Sequence, residues 1–454
     1  MSHALRRRDL LLLIPGALLL PRVSLRAAEG DWPAFRGPDA SGVQDGFPLP
    51  TRWNADASAG PAAGVRWKTP IPGLGHSSPI VWGDRVFVAT AVRESGEPPL
   101  RLGLFGDSTG ADDNVNQRWV IYGVDVKDGR IVWEQIVKTG TPRAGRHVKG
   151  THANTTLATD GQNLVAFFGS EGVHVYSLDG KHRWSQDLGL INVSKYGIGW
   201  GFAASPTIHR DRIFLQCDAP DNPYLVAVSL ADGRELWRTM RKDVCERSWA
   251  TPFVHVDDTR TQVIANGWPY AVSYDAMTGK ELWRLRVGGD NPIPTPFAAG
   301  GLIYVANGHG AAPVFAVRPN AKGDISLADG ATSNAHVVWS NPRNGAYIQT
   351  PLVYRGLLYS GTNNGVLKCY DAVSGEVLYE QRLTPEPAGF SASPVAGDGK
   401  VYCTSEEGEV VVVRAGRTYQ ELARNKMGES CMATPALSRG RLIARTRSQL
   451  LAIG

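Results

Sequence analysis

The stretch DAMTGKELW at residues 275–283 decides the fold, because close copies of it recur along the chain. Residues 371–379 read DAVSGEVLY and residues 231–237 read ADGRELW. Each copy places an aromatic residue four positions after a glycine. The glycine suits a tight hairpin turn, because it tolerates the positive φ that such turns need. The phrase therefore predicts two strands joined by a turn, and its recurrence predicts a repeat protein.

A second phrase alternates with the first. It is a pair of small residues, usually ending in proline, that leads into a run of strand-forming residues. Proline at the start of a strand costs little, because the N–H that it lacks is least needed there. The chain carries eight copies, at residues 76–90, 153–169, 202–216, 249–266, 293–307, 348–361, 391–405 and 432–446.

Together the two phrases predict a repeating unit of about four strands joined by short turns. Such a sheet cannot bury both of its faces alone, and stacking the sheets around an axis buries both faces of each. The recurrent tryptophans suit the outermost strands, where they wedge between neighbouring sheets as structural residues. We therefore predict an all-β fold, an eight-bladed β-propeller.

The two ends of the repeat predict how the ring closes. The eighth unit reaches the end of the printed sequence without its own hairpin phrase, while VRWKTPI at 65–71 precedes the first unit and has the form of an outer strand. We expect this N-terminal strand to complete the last blade, so that the propeller spans 65–454. The preceding segment, 29–64, is rich in proline, glycine and alanine, and we expect an extended N-terminal arm along the propeller wall.

Residues 1–28 have the layout of a secretory signal peptide, with a basic start, a short apolar stretch and small residues at the end. Their paired arginines resemble a bacterial twin-arginine signal. This segment carries a net charge of +4 out of +5 for the whole chain, so the remainder is nearly neutral. A neutral chain favours neither nucleic acid nor an anionic membrane as partner. We expect a periplasmic or secreted protein without a membrane span after signal removal.

Cysteines and loop insertions complete the survey. The five cysteines include no C-x-x-C pair, and four lie in or beside apolar runs, which favours buried free thiols over a zinc site or disulfides. Two glycine- and aspartate-rich insertions, at 93–117 and 318–336, are expected on one rim of the propeller. EEGE at 406–409 is interpreted as a charged hairpin turn.

The copies of DAMTGKELW resemble the repeat of the PQQ-type (pyrroloquinoline quinone) β-propellers over residues 65–454. This family includes quinoprotein dehydrogenases and the lipoprotein propeller of the outer-membrane assembly machine. DWPAFRGPDASGV at 31–43 resembles the start of a group of exported bacterial PQQ-like proteins. For a dehydrogenase, the resemblance implies PQQ over a floor tryptophan, calcium held by Glu, Asn and Asp, and an Asp as base. The chain lacks the adjacent cysteines of many such enzymes and a haem motif C-x-x-C-H.

Residues just before each innermost strand are expected to approach the axis at one mouth, where ligand sites collect in propellers. Trp200, Trp249 or Tyr347 could stack on a flat ligand. Lys149, Arg247 and His152 could meet an anion. Asp290 and Glu429 are candidate carboxylates for calcium or for a base. A solvated channel that binds nothing is the alternative. The predicted cofactor- or ligand-binding residues are His152, Asn154, Trp200, Arg247, Trp249, Asp290, Tyr347 and Gln349.

Two functions follow from these patterns. The first is an exported propeller that acts as a binding or protein-interaction platform in the cell envelope. Its partner would be an envelope protein or a small molecule at the central mouth, with no required cofactor or metal, and we expect a monomer. The alternative is a small periplasmic PQQ-dependent oxidoreductase that uses calcium. No catalytic residue is assigned from the sequence.

Overall fold

Eight antiparallel sheets of four strands form the β-propeller, which confirms the predicted fold class. The computed structural model describes residues 29–104, 109–195, 198–343 and 345–454. The predicted signal peptide, 1–28, lies outside these described residues. No helix in the described ranges is long and apolar enough to cross a membrane.

The blades are numbered here in chain order, and each runs from an innermost strand to an outermost strand. Blade 1 consists of Ile80–Trp82, Arg85–Arg93, Gln117–Asp125 and Ile131–Gly140; blade 2 of Ala158–Thr159, Asn163–Phe167, Val173–Ser177 and His182–Gln186; blade 3 of Thr207–His209, Arg212–Cys217, Tyr224–Ser229 and Glu235–Met240; and blade 4 of Phe253–Val256, Thr261–Ala265, Trp268–Asp275 and Glu281–Arg286.

The second half of the ring repeats this order. Blade 5 consists of Phe297–Ala299, Leu302–Ala306, Val314–Val317 and Val337–Asn341; blade 6 of Leu352–Tyr354, Leu357–Gly361, Val366–Asp371 and Val377–Arg382; blade 7 of Val395–Gly397, Lys400–Thr404, Glu409–Arg414 and Glu421–Lys426; and blade 8 of Ala436–Ser438, Arg441–Arg445, Gln449–Ile453 and Val65–Pro70. Short additional elements are Ser194–Lys195, Ile198–Gly199, Cys245–Arg247, Gly323–Asp324 and the 3₁₀ turns Pro38–Ala40, Ala57–Ala59 and Gly169–Glu171.

Blade 8 closes the ring with a strand from the other end of the chain. Val65–Pro70 pairs antiparallel with Gln449–Ile453, with Val65 opposite Ile453 and Pro70 opposite Gln449. The predicted N-terminal closing strand is therefore confirmed. This pairing joins residues almost 400 positions apart, so the propeller is one cooperative ring and not an open array.

The Gly-to-Trp spacing of the repeat has a packing reason. Trp237 of blade 3 lies against Gly279 of blade 4, and its indole N–H donates to the carbonyl of Ala276 at 3.1 Å. Gly279 has a φ of +71°, and a Cβ there would come within 2.6 Å of the indole. Each glycine thus forms the turn and also leaves room for the tryptophan of the preceding blade to pack against it. The same contact joins Trp67 to Gly129, Trp133 to Gly180, Trp184 to Gly233 and Trp339 to Gly375.

Apolar residues of the inner strands fill the spaces between blades. Val165 and Val175 of blade 2 pack with Ile213 and Val226 of blade 3, and all four are fully buried. Burial of such side chains stabilises a fold by about 25 cal/mol per Å² of apolar surface. All five cysteines are buried and free, as predicted.

The arm crosses the end of the axis before it reaches the wall. Trp32 exchanges backbone hydrogen bonds with Val81 on the innermost strand of blade 1, and Val43 bridges to Ala396 on that of blade 7. Between them, Pro38–Ala40 lies against the innermost strands of blades 4 and 5. Only the later part of 29–64 runs along blade 7. We call residues 31–44 the floor segment.

The two insertions lie on opposite faces, so the expectation of one rim is wrong. The first connects the second and third strands of blade 1, whereas the second connects the third and fourth strands of blade 5. In an antiparallel sheet these two connections emerge at opposite ends. The second insertion also packs outward, because Gly323–Asp324 pairs with the outermost strand of blade 4.

Candidate functional site

A cavity of about 630 Å³ lies on the propeller axis. Residues that precede or begin the innermost strands of all eight blades line it, together with Phe35 from the floor segment and Gly103 and Leu104 from the first insertion. The end near the first insertion is called the mouth. Aromatic rings, hydroxyls and carboxamides dominate the lining, and none of the described lining residues is an aspartate or a glutamate.

Eight hydroxyl residues, one from each blade, form a belt around this cavity that we call the hydroxyl ring. At six junctions the backbone N–H of one member donates to the side-chain oxygen of the member in the next blade, with N···O distances of 2.9–3.1 Å. The ring therefore joins neighbouring blades at the axis. Its members are Ser78, Thr156, Ser205, Thr251, Thr295, Thr350, Ser393 and Thr434.

The floor segment closes the cavity at the end opposite the mouth. Phe35 lines the cavity, and the next side chain, Arg36, is fully buried. The Arg36 guanidinium donates to the carbonyls of Pro351 at 2.8 Å and Pro394 at 3.2 Å, and to Ala40 within the segment. Burial lowers the pKa of this guanidinium to about 9, so it remains charged at neutral pH. The floor is thus a fixed part of the fold.

Aromatic rings form the wall of the cavity near the mouth. Trp200 stacks on His147 with centroids 5.0 Å apart and contacts Trp249 at 6.1 Å. Tyr347 contacts His309 at 5.9 Å and accepts a 3.1 Å hydrogen bond from Asn291. The indole N–H of Trp200 is buried without a hydrogen-bond partner in the described structure. This wall offers flat apolar faces to a ligand.

A salt bridge across the mouth holds the first insertion in place. Lys149, before blade 2, pairs with Glu406 of blade 7 at 2.7 Å, and it also donates to the carbonyl of Gly103. The Glu406 carboxylate accepts from the Gly103 amide at 2.8 Å and from Ser391. Because Glu406 is 1% exposed, these bonds satisfy a buried charge. They fix Gly103, which with Leu104 partly covers the mouth.

His76 lies beside this cover and is kept neutral. Burial lowers the pKa of its imidazole to about 4, although a hydrogen bond to the Lys149 carbonyl opposes the shift. The positive charges of Arg146, Arg445 and Arg447 lower it further.

Four of the eight residues predicted from the sequence line the cavity. Asn154, Trp200, Trp249 and Tyr347 all contribute to its wall. Asn154 is held by its own loop, because its carboxamide oxygen accepts from the Thr151 amide and hydroxyl. A ligand-binding role for these four residues stays a prediction.

The structure places the other four behind the lining. His152 lies 3.2 Å from Asp113, and Arg146 contacts the same carboxylate at 2.6 Å. Burial alone would raise the pKa of the Asp113 carboxyl, but the adjacent His152 and Arg146 side chains outweigh it and lower the pKa to about 2. This buried cluster anchors the first insertion to the loop before blade 2.

Arg247, Asp290 and Gln349 are likewise engaged within the protein. Arg247 reaches Asp290 at 3.5 Å, and the Asp290 carboxylate is also 2.6 Å from His309. Gln349 is 3% exposed and packs against Gly361, where a Cβ would overlap its side chain. None of these three residues lines the cavity.

Sequence reasoning missed the hydroxyl ring and Glu406. The ring had a signal in the sequence, because a serine or threonine stands directly before the proline in seven of the eight inner-strand phrases. Glu406 had no such signal, because the EEGE phrase is typical of a charged turn. Only the closed propeller brings Glu406 opposite Lys149.

The sequence matches the family described as outer membrane protein assembly factor BamB over residues 55–215, 221–346 and 314–453. The chain belongs to this family. The match confirms the predicted relation to PQQ-type propellers. No protein of curated function has a matching sequence.

Solved structures with this fold include BamB, alcohol dehydrogenases and a designed protein. BamB from Moraxella catarrhalis is 14% identical, with a TM-score of 0.53 over 80% of this chain and 98% of that one. Quinohemoprotein alcohol dehydrogenase from Comamonas testosteroni is 12% identical, with a TM-score of 0.62 over 94% and 81%. The computationally designed Ika8 protein is 12% identical, with a TM-score of 0.50 over 80% and 98%. At these identities the likeness shows the fold alone.

The residues at the cavity do not fit calcium-assisted PQQ. Calcium requires several oxygen ligands, usually carboxylates. Asp290 is held by Arg247 and His309, and Glu406 by Lys149. Glu429 accepts hydrogen bonds from Ser448 and Thr446 and does not line the cavity. In the described ranges no group of three or more His, Cys, Asp or Glu side chains is arranged to hold a metal ion.

Proposed function

We propose that this protein is a binding propeller of the cell envelope that holds a small molecule in its axial cavity. The observation that carries the proposal is a cavity with a closed floor and a partly covered mouth. Its volume of about 630 Å³ lies within the range of small-molecule sites. A channel that served only to pack the blades would need neither an aromatic wall nor a cover.

The residues that line the cavity support ligand binding, and no carboxylate among those described could act as a base or calcium ligand in quinone chemistry. Flat rings such as Trp200 and Trp249 provide apolar contact, while hydroxyls and carboxamides orient a ligand. The carboxylates that a calcium-dependent oxidoreductase needs are paired within the protein. We therefore favour the binding function over the PQQ-dependent oxidoreductase, with which the chain shares its fold.

The place in the envelope rests on two supports. The first 28 residues have the layout of an export signal. The family to which the chain belongs is described as an outer membrane assembly factor. An additional protein partner on the outer surface is compatible with a small molecule in the cavity.

A cavity-filling variant tests the proposal. Ala203 lines the cavity, so Ala203→Trp should occupy it, whereas Ala328→Trp places the same bulk on the exposed second insertion. We would incubate each purified protein with a small-molecule extract of bacterial cells and record native mass spectra. We expect a bound mass on the wild-type protein and on Ala328→Trp that is lost on Ala203→Trp.

Two results would overturn this function. One is the absence of any bound mass on the wild-type protein. The other is a bound mass that Ala203→Trp retains although its thermal unfolding shows a folded protein, because the ligand would then lie outside the cavity.

A further inference from the structure

We propose that the hydroxyl ring, with the Arg36 guanidinium beneath it, is a metal-free site for the oxyanion group of a small organic ligand. The group would be a carboxylate or a phosphate monoester. This inference rests on the proposed function, because it names the ligand class of the same cavity. It concerns the hydroxyl ring, which contains none of the residues predicted from the sequence.

The first argument is that the hydroxyl ring has hydrogen-bond donors that the protein does not use. A hydroxyl has one proton and two lone pairs. In six members one lone pair accepts the backbone N–H of the neighbouring blade. In the described structure, none of the ring hydroxyls donates to a protein acceptor. Within the described ranges the Thr295 hydroxyl has no partner, but it is enclosed by the protein. The ring therefore has O–H donors left for a ligand that accepts hydrogen bonds.

The second argument is the charge beneath the ring. Pro351 and Pro394, whose carbonyls bind Arg36, directly follow the ring members Thr350 and Ser393. The guanidinium thus bonds, on two blades, to the residue that directly follows a member of the hydroxyl ring. Its hydrogen-bond acceptors in the described structure are backbone carbonyls, which carry no net charge. A buried cation without a carboxylate partner favours an anion nearby.

The third argument is that no described carboxylate competes for the ring. Among the described residues that line the cavity none is acidic, and the acids behind the wall are already paired. The cavity therefore combines O–H donors with the Arg36 charge beneath them, which suits an oxyanion and disfavours a metal cation.

The aromatic wall above the ring suggests the rest of the ligand. Trp200, Trp249 and Tyr347 lie toward the mouth, so a flat or apolar group attached to the oxyanion would meet their rings. Benzoate and phenyl phosphate carry both features. Benzamide has nearly the shape of benzoate but no charge, and it serves as the matched neutral probe.

Isothermal titration calorimetry of the purified protein, without added metal, tests the site. We expect benzoate, phenyl phosphate or both to bind at least tenfold more tightly than benzamide, and the stronger of the two identifies the preferred oxyanion. The double variant Thr350→Val with Ser393→Ala removes two hydroxyls above Arg36 and should weaken that binding at least tenfold. Thr155→Val is the control, because its buried hydroxyl bonds to the Phe167 carbonyl outside the ring.

The outcomes separate this inference from the proposed function. Equal affinity for benzoate and benzamide would overturn the oxyanion site and leave a binding cavity. Failure of both anions to bind at 10 mM would also overturn it, and a bound mass in the native spectra would then still support the cavity. The comparison of charged and neutral probes needs only the wild-type protein, so it stands even if the double variant does not fold.

Discussion

The two ends of the axial cavity are built in different ways. At the floor, Trp32 is 1% exposed and is fixed by paired backbone hydrogen bonds to Val81. At the mouth, Trp200 is partly exposed, and the cover is held mainly by the side chains of Lys149 and Glu406. Backbone pairing needs no particular side chain, whereas the mouth depends on a few charged residues.

This difference suggests a division of labour. A floor made of backbone pairs and buried rings opens only when the fold itself opens. A cover held by one salt bridge and a few hydrogen bonds can open locally at a much smaller free energy. A ligand would therefore pass through the mouth, and the floor would act as permanent closure.

The largest effect should come from the floor. Trp32→Ala removes a fully buried indole from the largest apolar cluster, and we expect it to lower the free energy of unfolding by about 3–5 kcal/mol. Trp200→Ala at the mouth is the matched variant, and we expect a loss of about 1 kcal/mol because its ring is partly exposed. Urea unfolding followed by fluorescence measures both. Equal losses would contradict the division between floor and mouth.

A smaller effect is expected from the cover. Glu406→Gln keeps the shape of the side chain but removes the partner of Lys149, and we expect a loss of stability of about 2–3 kcal/mol. The Gly103 amide, which bonds to this carboxylate, should exchange its hydrogen at least tenfold faster. Hydrogen exchange read by mass spectrometry measures this locally.

Glu409→Gln provides the control for the cover, because Glu409 lies in the same phrase but pairs with Arg424 at the surface. We expect at most a small change in stability and no change at Gly103. If Glu406→Gln also left the exchange of Gly103 unchanged, the salt bridge would not hold the cover.

The smallest effect is a dependence on pH at the mouth. The pKa of His76 is about 4 in the folded protein and about 6.5 when unfolded, so the unfolded chain binds the proton more readily. This contribution to stability is present above pH 6.5 and is lost as the pH falls toward 4. Between pH 7 and pH 5 we expect a loss of about 1–2 kcal/mol from this group.

His76→Gln should remove that share of the pH dependence, and His182→Gln, at an exposed position, should not. Thermal unfolding at pH 7 and pH 5 compares the three proteins. An unchanged slope in His76→Gln would show that His76 is not held neutral by burial.

The sequence predicted the propeller because the patterns that specify each blade are local. The glycine of each DAMTGKELW-like phrase sets a turn within one blade, and the tryptophan four residues later meets the glycine of the next blade. Repetition of a local rule was enough to predict eight blades and the closing strand. Asn154, Trp200, Trp249 and Tyr347 could be placed at the cavity for the same reason, since their position in the repeat fixes their height along the axis.

Contacts between distant segments could not be predicted in this way. The path of the arm depends on pairing between Trp32 and Val81, and nothing in its composition distinguishes the floor from the wall. Asp290 and Arg247 lie 3.5 Å apart in an ion pair, and neither lines the cavity.

The most direct test of the central claim is thermal unfolding of the purified protein with PQQ, in the presence and absence of calcium. A ligand that binds only the folded state raises the melting temperature by mass action. The metal-free site predicts that any effect of PQQ, itself an organic oxyanion, is the same with and without calcium. A rise that requires calcium and is lost in Asp290→Asn would contradict the account and establish a quinoprotein site.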